Sequence, residues 1–517
     1  MATKSSICKP VFFASGGLLV ALLLFCLLSP NTAINSFTQL KDVVSVHFGW
    51  VYIISVVFFL VFSVWLVFSR YGDIRLGKDD ESPAYSRASW YAMLFAAGMG
   101  ISLVFYGVAE PMMHYNAPPT GIGGSPEAAQ NALPLTFHHW GFHAWAIYVV
   151  IALPIAYFAY RRDLPLSLRS CFYPILGDRI HGWIGHSIDI LAVFGTLFGL
   201  ATSLALGSMS VNVGLNRIFG IDHSINSQLI IIAVITLAAT LSLVSGMDKG
   251  IKMLSEVNMV LAGLLLVFVF VFGPTSDLIF GFFQSFVDYL GDFAARSFEF
   301  GQNDATGGEK KWLQDWSIFY WGWWIAWAPF VGVFVARISR GRTIRDFTLS
   351  VLLIPPAVTL VWFAIFGGTG LALDAQGVPI SEAVAQSPEA GIYVLLEQLP
   401  LASITTVFTV IVLIIFFVSS SDSASYVVDM LTSGGNPDPP IWQRVFWATA
   451  EGATAAALLY AGGPAVLDGL KAGIVALGLP VCLLLWVMCY SLVRGLRNDV
   501  RFTTPVESTP KELEQNS

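Results

Sequence analysis

Charge is what this sequence has least of. Only 12% of its 517 residues are Asp, Glu, Lys or Arg, while 56% are hydrophobic. Soluble domains carry about 25% charged residues, so the deficit excludes a soluble enzyme and a disordered chain. Five cysteines (Cys8, Cys26, Cys171, Cys482 and Cys489) fall in no CxxC or other metal spacing, and none lies in a segment placed outside. That excludes a secreted disulfide scaffold. No GxxxxGK[ST] occurs, so the chain lacks a Walker-type ATP site, and any work it does must come from an ion or substrate gradient. A formal net charge of -7 offers no basis for nucleic-acid binding.

What fills the chain is apolar runs of membrane-spanning length. Helices are predicted at 11–29, 49–69, 88–109, 133–160, 189–209, 228–245, 255–272, 314–335, 347–372, 404–432, 441–461 and 468–493, an all-α integral membrane architecture. The first run follows Lys4 and Lys9 but has no A-x-A cleavage site after it, so it reads as a retained helix. Segment 276–300 is also apolar, but Asp277, Asp288, Asp292 and Arg296 interrupt it. It reads as an amphipathic helix on the interface. With the N-terminus inside, 21 of the 27 basic residues fall in inner segments and six in outer ones. This bias is what the positive-inside rule requires, and it places both termini in the cytoplasm of a plasma membrane. The C-terminal stretch from Arg497 reads as disordered.

Four spans depart from plain apolar helix. The third carries Gly98, Gly100 and Ser102 at alternate positions. Such spacing either lets the helix unwind and bare its backbone to a ligand or lets another helix pack closely. The fourth carries Trp140, Trp145 and Tyr148. An interfacial aromatic belt accounts for Trp140, and less well for the deeper Tyr148. The eighth has Trp321, Trp323, Trp324 and Trp327 within seven residues, more than a belt requires. A cage of rings suits a quaternary ammonium, which has no N–H to donate; each ring face contributes about 0.5–2 kcal/mol. The tenth carries Ser419, Ser420, Ser421, Asp422 and Ser423. These hydroxyls either satisfy their own helix or supply oxygen ligands to a small hard cation. Asp422, the main charge within the spans, must face the bundle interior or a water-filled cavity. His139 and His143 have the spacing of a metal-binding helix, but no HExxH exists and further ligands are missing. His138, His139 and His143 therefore read as interfacial.

Taken together, AAGMGIS (96–102), the set Trp140, Trp145 and Tyr148, FYWGWWIAWAPFVGVFVARISRGRTIRDF (319–347) and FFVSSSDS (416–423) resemble the betaine/choline/carnitine transporter family, over nearly the whole chain. The resemblance implies a leucine-transporter-like core of two inverted five-helix repeats, 88–272 and 314–493. Two additional helices (11–87) precede it, an outer amphipathic helix and loop (273–313) joins the repeats, and the tails are short (1–10 and 494–517). It implies a homotrimer embedded in lipid, with 276–300 in its contacts. The substrate's trimethylammonium is expected among Trp140, Trp145, Tyr148 and Trp324, with Trp323 and Trp327 lining the site and its exit. Gly98, Gly100 and Ser102 would present backbone amides to a carboxylate.

The same resemblance implies a sodium ion held by the carbonyls of Ala96, Met99 and Phe416 and the hydroxyls of Ser419 and Ser420. A second sodium site would use Thr196 and Phe330, although Leu200 stands where a further hydroxyl is expected. Ser102, where choline carriers of the family have aspartate, points to a zwitterion with sodium. The fifth span has no basic residue, which weighs against sodium-independent exchange. The expectation is a non-enzymatic sodium symporter for glycine betaine or a related methylated zwitterion, a compatible solute used in osmoprotection. No cofactor beyond the coupling ion is expected. The alternative is a choline or carnitine carrier working by proton symport or exchange.

Overall fold

The computed structural model describes residues 7–245, 247–301, 308–436, 438–462 and 466–499; side chains at 96, 97, 99, 245, 247–252 and 466–470 are outside that description. Helix dominates throughout, and among the described residues no strand forms beyond an isolated bridge between Arg75 and Thr343. The principal helices are α1 (Lys9–Leu28), α2 (Pro30–Phe68), α3 (Arg87–Asn116), α4 (Pro126–Trp140), α5 (Phe142–Ala156), α6 (Trp183–Phe219) and α7 (Ile225–Ser245). After them come α8 (Met247–Phe272), α9 (Thr275–Gly291), α10 (Phe319–Ile338), α11 (Ile344–Ala375), α12 (Ala402–Thr432), α13 (Ile441–Gly462) and α14 (Val466–Arg497). Among the described residues ten helical stretches are long and apolar enough to cross a membrane, or eleven when the bent α3 is taken as one span. Every predicted span is helical. Helix α13 is not among those candidates; its Gln443, Arg444 and Glu451 dilute its hydropathy.

Helix α10 lies at the centre. Nearly every residue from Phe319 to Ile338 is buried, and it packs on α5, α6, α14 and α3. An all-round apolar helix is stable only in such a place. Around it the chain departs from simple spans in three ways. In α3, Gly100 has non-helical torsions (φ 19°, ψ -132°), and Arg87–Phe95 meets Gly100–Asn116 at 63°. The predicted helix 133–160 is two helices, α4 and α5, broken at Gly141 (φ -88°, ψ -137°). A Cβ at Gly141 would lie 2.6 Å from Tyr289 Oη, so only glycine admits α9 this close. A π turn at Gln314–Ile318 precedes α10, a feature that often sits beside functional sites.

The amphipathic segment forms α9, which buries Leu278, Ser285 and Tyr289 and turns Phe280, Phe283, Val287 and Leu290 outward. Two expectations need correction. Helix α2 starts at Pro30 instead of residue 49, because Lys41 pairs with Asp315 (2.9 Å) and Phe37 packs on Phe198. The stretch after Arg497 is not free at its start: Asp499 is buried, and Arg161 grips it through Nε to Oδ2 (2.6 Å) and Nη2 to Oδ1 (2.7 Å). The remainder of the predicted tails, 1–6 and 500–517, lies outside the described residues.

Candidate functional site

Where α3 breaks, four other helices, α5, α6, α10 and α12, present side chains to it. A Cβ at Gly98 would lie 2.7 Å from the Trp145 ring, and one at Gly100 would lie 2.9 Å from Ser420 Oγ. Absence of side chains thus allows Trp145 of α5 and Ser420 of α12 to reach the break. Gly98, Gly100, Ile101, Ser102, Ser203, Trp323, Trp324, Trp327 and Ser420 enclose a cavity of about 10 Å³, room for about one water molecule.

The predicted rings converge there in edge-to-face contacts. Trp140 and Trp324 are 4.9 Å apart at 72°, Trp324 and Tyr148 6.4 Å at 76°, and Tyr148 and Trp145 5.4 Å at 84°. Trp323 stacks on Trp324 (5.3 Å, 5°), and Trp327 packs on Phe330 (4.9 Å). All six predicted rings are nearly or fully buried, so the belt alternative for Trp140 does not hold. Two polar atoms of the ring cluster, Trp145 Nε1 and Tyr148 Oη, are buried with no hydrogen-bond partner among the described residues. A buried unpaired donor costs about 1–3 kcal/mol, and such atoms tend to mark places where a ligand group completes the bond.

The hydroxyl run divides its work. Ser420 faces the break. Ser419 Oγ instead accepts from Asn258 Nδ2 of α8 (2.7 Å) and donates to Phe416 O (3.1 Å). Ala96 and Met99, the other expected ligands, fall in the stretch whose side chains are outside the description. Thr196 is buried and donates to Ala192 O of its own helix (2.9 Å), and Leu200 is buried beside it. Ser102 Oγ lies 3.5 Å from Ser203 Oγ. Asp422 is buried as expected and accepts from Ser242 Oγ (2.7 Å).

Asp422 is not the main buried acid. Glu110, Asp189, Asp429 and Glu451 are also fully buried. Glu110 sits one residue past the predicted end of the third span, in the last two turns of α3. It accepts four hydrogen bonds: His114 Nε2 (3.2 Å) and His139 Nδ1 (2.9 Å) on Oε1, Trp140 Nε1 (2.6 Å) and the Tyr320 hydroxyl on Oε2. The histidines are therefore core groups and not interfacial. His138 packs on Trp321 (5.3 Å), and His143 Nε2 meets Ser297 Oγ (3.0 Å). His139 and His143 do not pair. Among the described residues, the ligand-type atoms that do converge, within 4.8 Å, belong to Glu110, His114 and His139. Both oxygens of Glu110 in this cluster are already met by donors. The signal that finds it is the acid–histidine spacing of four on one helix face.

The family model for betaine/carnitine/choline transporters matches residues 10–501. A glycine betaine transporter of Vibrio parahaemolyticus is 44% identical over 95% of this chain and 94% of its own length. A glycine betaine/proline/choline/ectoine transporter of the same organism is 44% identical over 95% and 88%. A glycine betaine transporter of Bacillus subtilis is 41% identical over 97% of each. A match running from the first described helix to beyond the last, with relatives aligned nearly end to end, establishes that the chain belongs to the betaine/carnitine/choline family of transporters.

Proposed function

We propose that the protein imports glycine betaine, or a closely related methylated zwitterion, by sodium symport with alternating access. The observation that carries this reading is the meeting of the ring cluster of α4, α5 and α10 with the broken α3 and Ser420. Rings receive the trimethylammonium. Trp145 Nε1, Tyr148 Oη and the backbone near Gly98–Ser102 receive the carboxylate. Sodium binds at the break through Ser420 and the carbonyls of Ala96, Met99 and Phe416, with Ser419 joining them on leaving Asn258 and Phe416 O, bracing α3 against α12 and coupling the two affinities. Thr196 and Phe330 mark the second sodium position.

The enclosed space holds about one water, so admitting a zwitterion means moving rings; rocking of one helix set against the other supplies that movement. Each net charge moved inward gains about 2.3 kcal/mol per 100 mV, enough for about 50-fold accumulation. The arrangement proposed around this site is twelve crossings, with inverted repeats at 88–272 and 314–493, cytoplasmic termini and a plasma-membrane homotrimer. The outward stripe of Phe280, Phe283, Val287 and Leu290 supports α9 as a contact surface.

Proton symport is the second reading. It draws on Asp422 Oδ1 and Glu451 Oε1, buried carboxylate oxygens without partners. Uptake of labelled betaine, choline, carnitine and dimethylsulfoniopropionate into proteoliposomes, with imposed sodium or proton gradients, separates the two. Sodium-driven betaine uptake is expected, and uptake indifferent to sodium sinks the first reading.

A further inference from the structure

We propose that Glu110 is the counter-charge of the cage, a positioning residue that acts on the substrate's cationic head through Trp140 and Tyr320. The inference rests on the betaine reading above and adds to it an anion that the rings alone do not supply.

Glu110 is fully buried, and among the described residues none of its four partners is Lys or Arg. Burying a carboxylate costs several kcal/mol unless a charge or bonds offset it. Four donors stabilise the ionised form without cancelling its charge. His114 donates from Nε2 while its Nδ1 has no partner, so only the neutral imidazole leaves no buried N–H unsatisfied. His139 meets Glu110 Oε1 through Nδ1 (2.9 Å) and Ser317 Oγ through Nε2 (3.1 Å), so both of its ring nitrogens are partnered.

The two donors on Oε2 belong to rings of the cage wall. Trp140 and Tyr320 lie 4.9 and 5.7 Å from Trp324. An indole N–H or phenol O–H that donates to an anion pushes electron density into its ring, which strengthens the negative π face that a cation meets. The carboxylate also attracts that cation directly. Opposite charges one ring width apart, at an effective dielectric of about 20, change affinity by at least about tenfold.

The test is binding to the full-length protein at about pH 8, above the ordinary imidazole range, read by tryptophan fluorescence. Wild type, Glu110→Gln and His114→Ala are titrated with glycine betaine and with 3,3-dimethylbutanoate, which has carbon in place of the quaternary nitrogen. Glu110→Gln keeps the shape and removes the charge; it is expected to lose at least tenfold in betaine affinity and less than threefold in affinity for the carbon analogue. His114→Ala removes a bond and keeps the charge; its betaine loss is expected to stay below threefold. Equal betaine losses in the two variants, retained betaine affinity in Glu110→Gln, or parallel losses for both ligands would overturn the proposal. Failure of wild type to bind betaine overturns the underlying function instead, so the two failures are distinct.

Discussion

Two buried carboxylates at different places in the molecule are held in opposite ways. Asp499, beyond the end of α14, is met by the guanidinium of Arg161 at 2.6 and 2.7 Å and by the Tyr157 hydroxyl at 2.9 Å. Glu110, beside the cage, is met by two imidazoles, an indole and a phenol. The first arrangement neutralises the charge and ties chain segments together. Arg161 also reaches Asp79 (2.7 Å), and nearby Arg342 covers the Trp90 ring (3.7 Å) and Arg345 pairs with Asp73 (2.5 Å). The second has, among the described residues, no Lys or Arg partner to offset its charge. Arginine recurs where chain segments are fastened to one another, and donors of no fixed charge surround the carboxylate beside the rings.

The sharpest way to break the comparison is Trp324→Leu. It removes the ring that touches Trp140, Tyr148, Tyr320 and Trp323 at once. Betaine affinity is expected to fall at least about 100-fold, with an earlier melt from the cavity left in the core, about 2–4 kcal/mol; retained affinity in the folded variant would remove the cage from the mechanism. The converse is Arg161→Ala, which strands the Asp499 carboxylate. A loss of about 3 kcal/mol in stability should be seen as an earlier melt in detergent, while betaine affinity per folded molecule stays within about twofold. Intermediate in effect is Gly141→Ala. Its Cβ would press on Tyr289 Oη and Phe137 O, at a cost of about 1–3 kcal/mol. Because the same joint aims Trp140, both melt and affinity should shift. A variant that shifts neither would show that the α4–α5 break is not set by this approach. The smallest effect is expected from Ser420→Ala, a rise of about fivefold in half-saturating sodium, read from uptake against sodium concentration. An unchanged sodium curve would detach Ser420 from the ion.

Much of the cage was legible in the sequence because tryptophan and alternating glycine are conspicuous in a membrane span. Four tryptophans in seven residues of α10 and Gly98-x-Gly100 in α3 each break a local rule, and the structure brings both to one place. Glu110 was not legible as part of it. By hydropathy it belongs to a loop, since the apolar run stops at Ala109, and only the continuation of α3 to Asn116 carries it inward. The break at Gly141 was equally hidden, since a lone glycine in a helical pattern is compatible with an unbroken helix. The side chain that a Cβ there would meet, Tyr289, is almost 150 residues away. Asn258 was missed for a similar reason: its partner Ser419 lies on another helix, and no periodicity joins them.

The tightness of the central cavity carries a consequence for what can enter it. About 10 Å³ of space under indole rings is too little for a hydrated ion or a continuous file of water. In this conformation the space at the α3 break is no aqueous pore, and whatever enters it must first part the indole rings that line it.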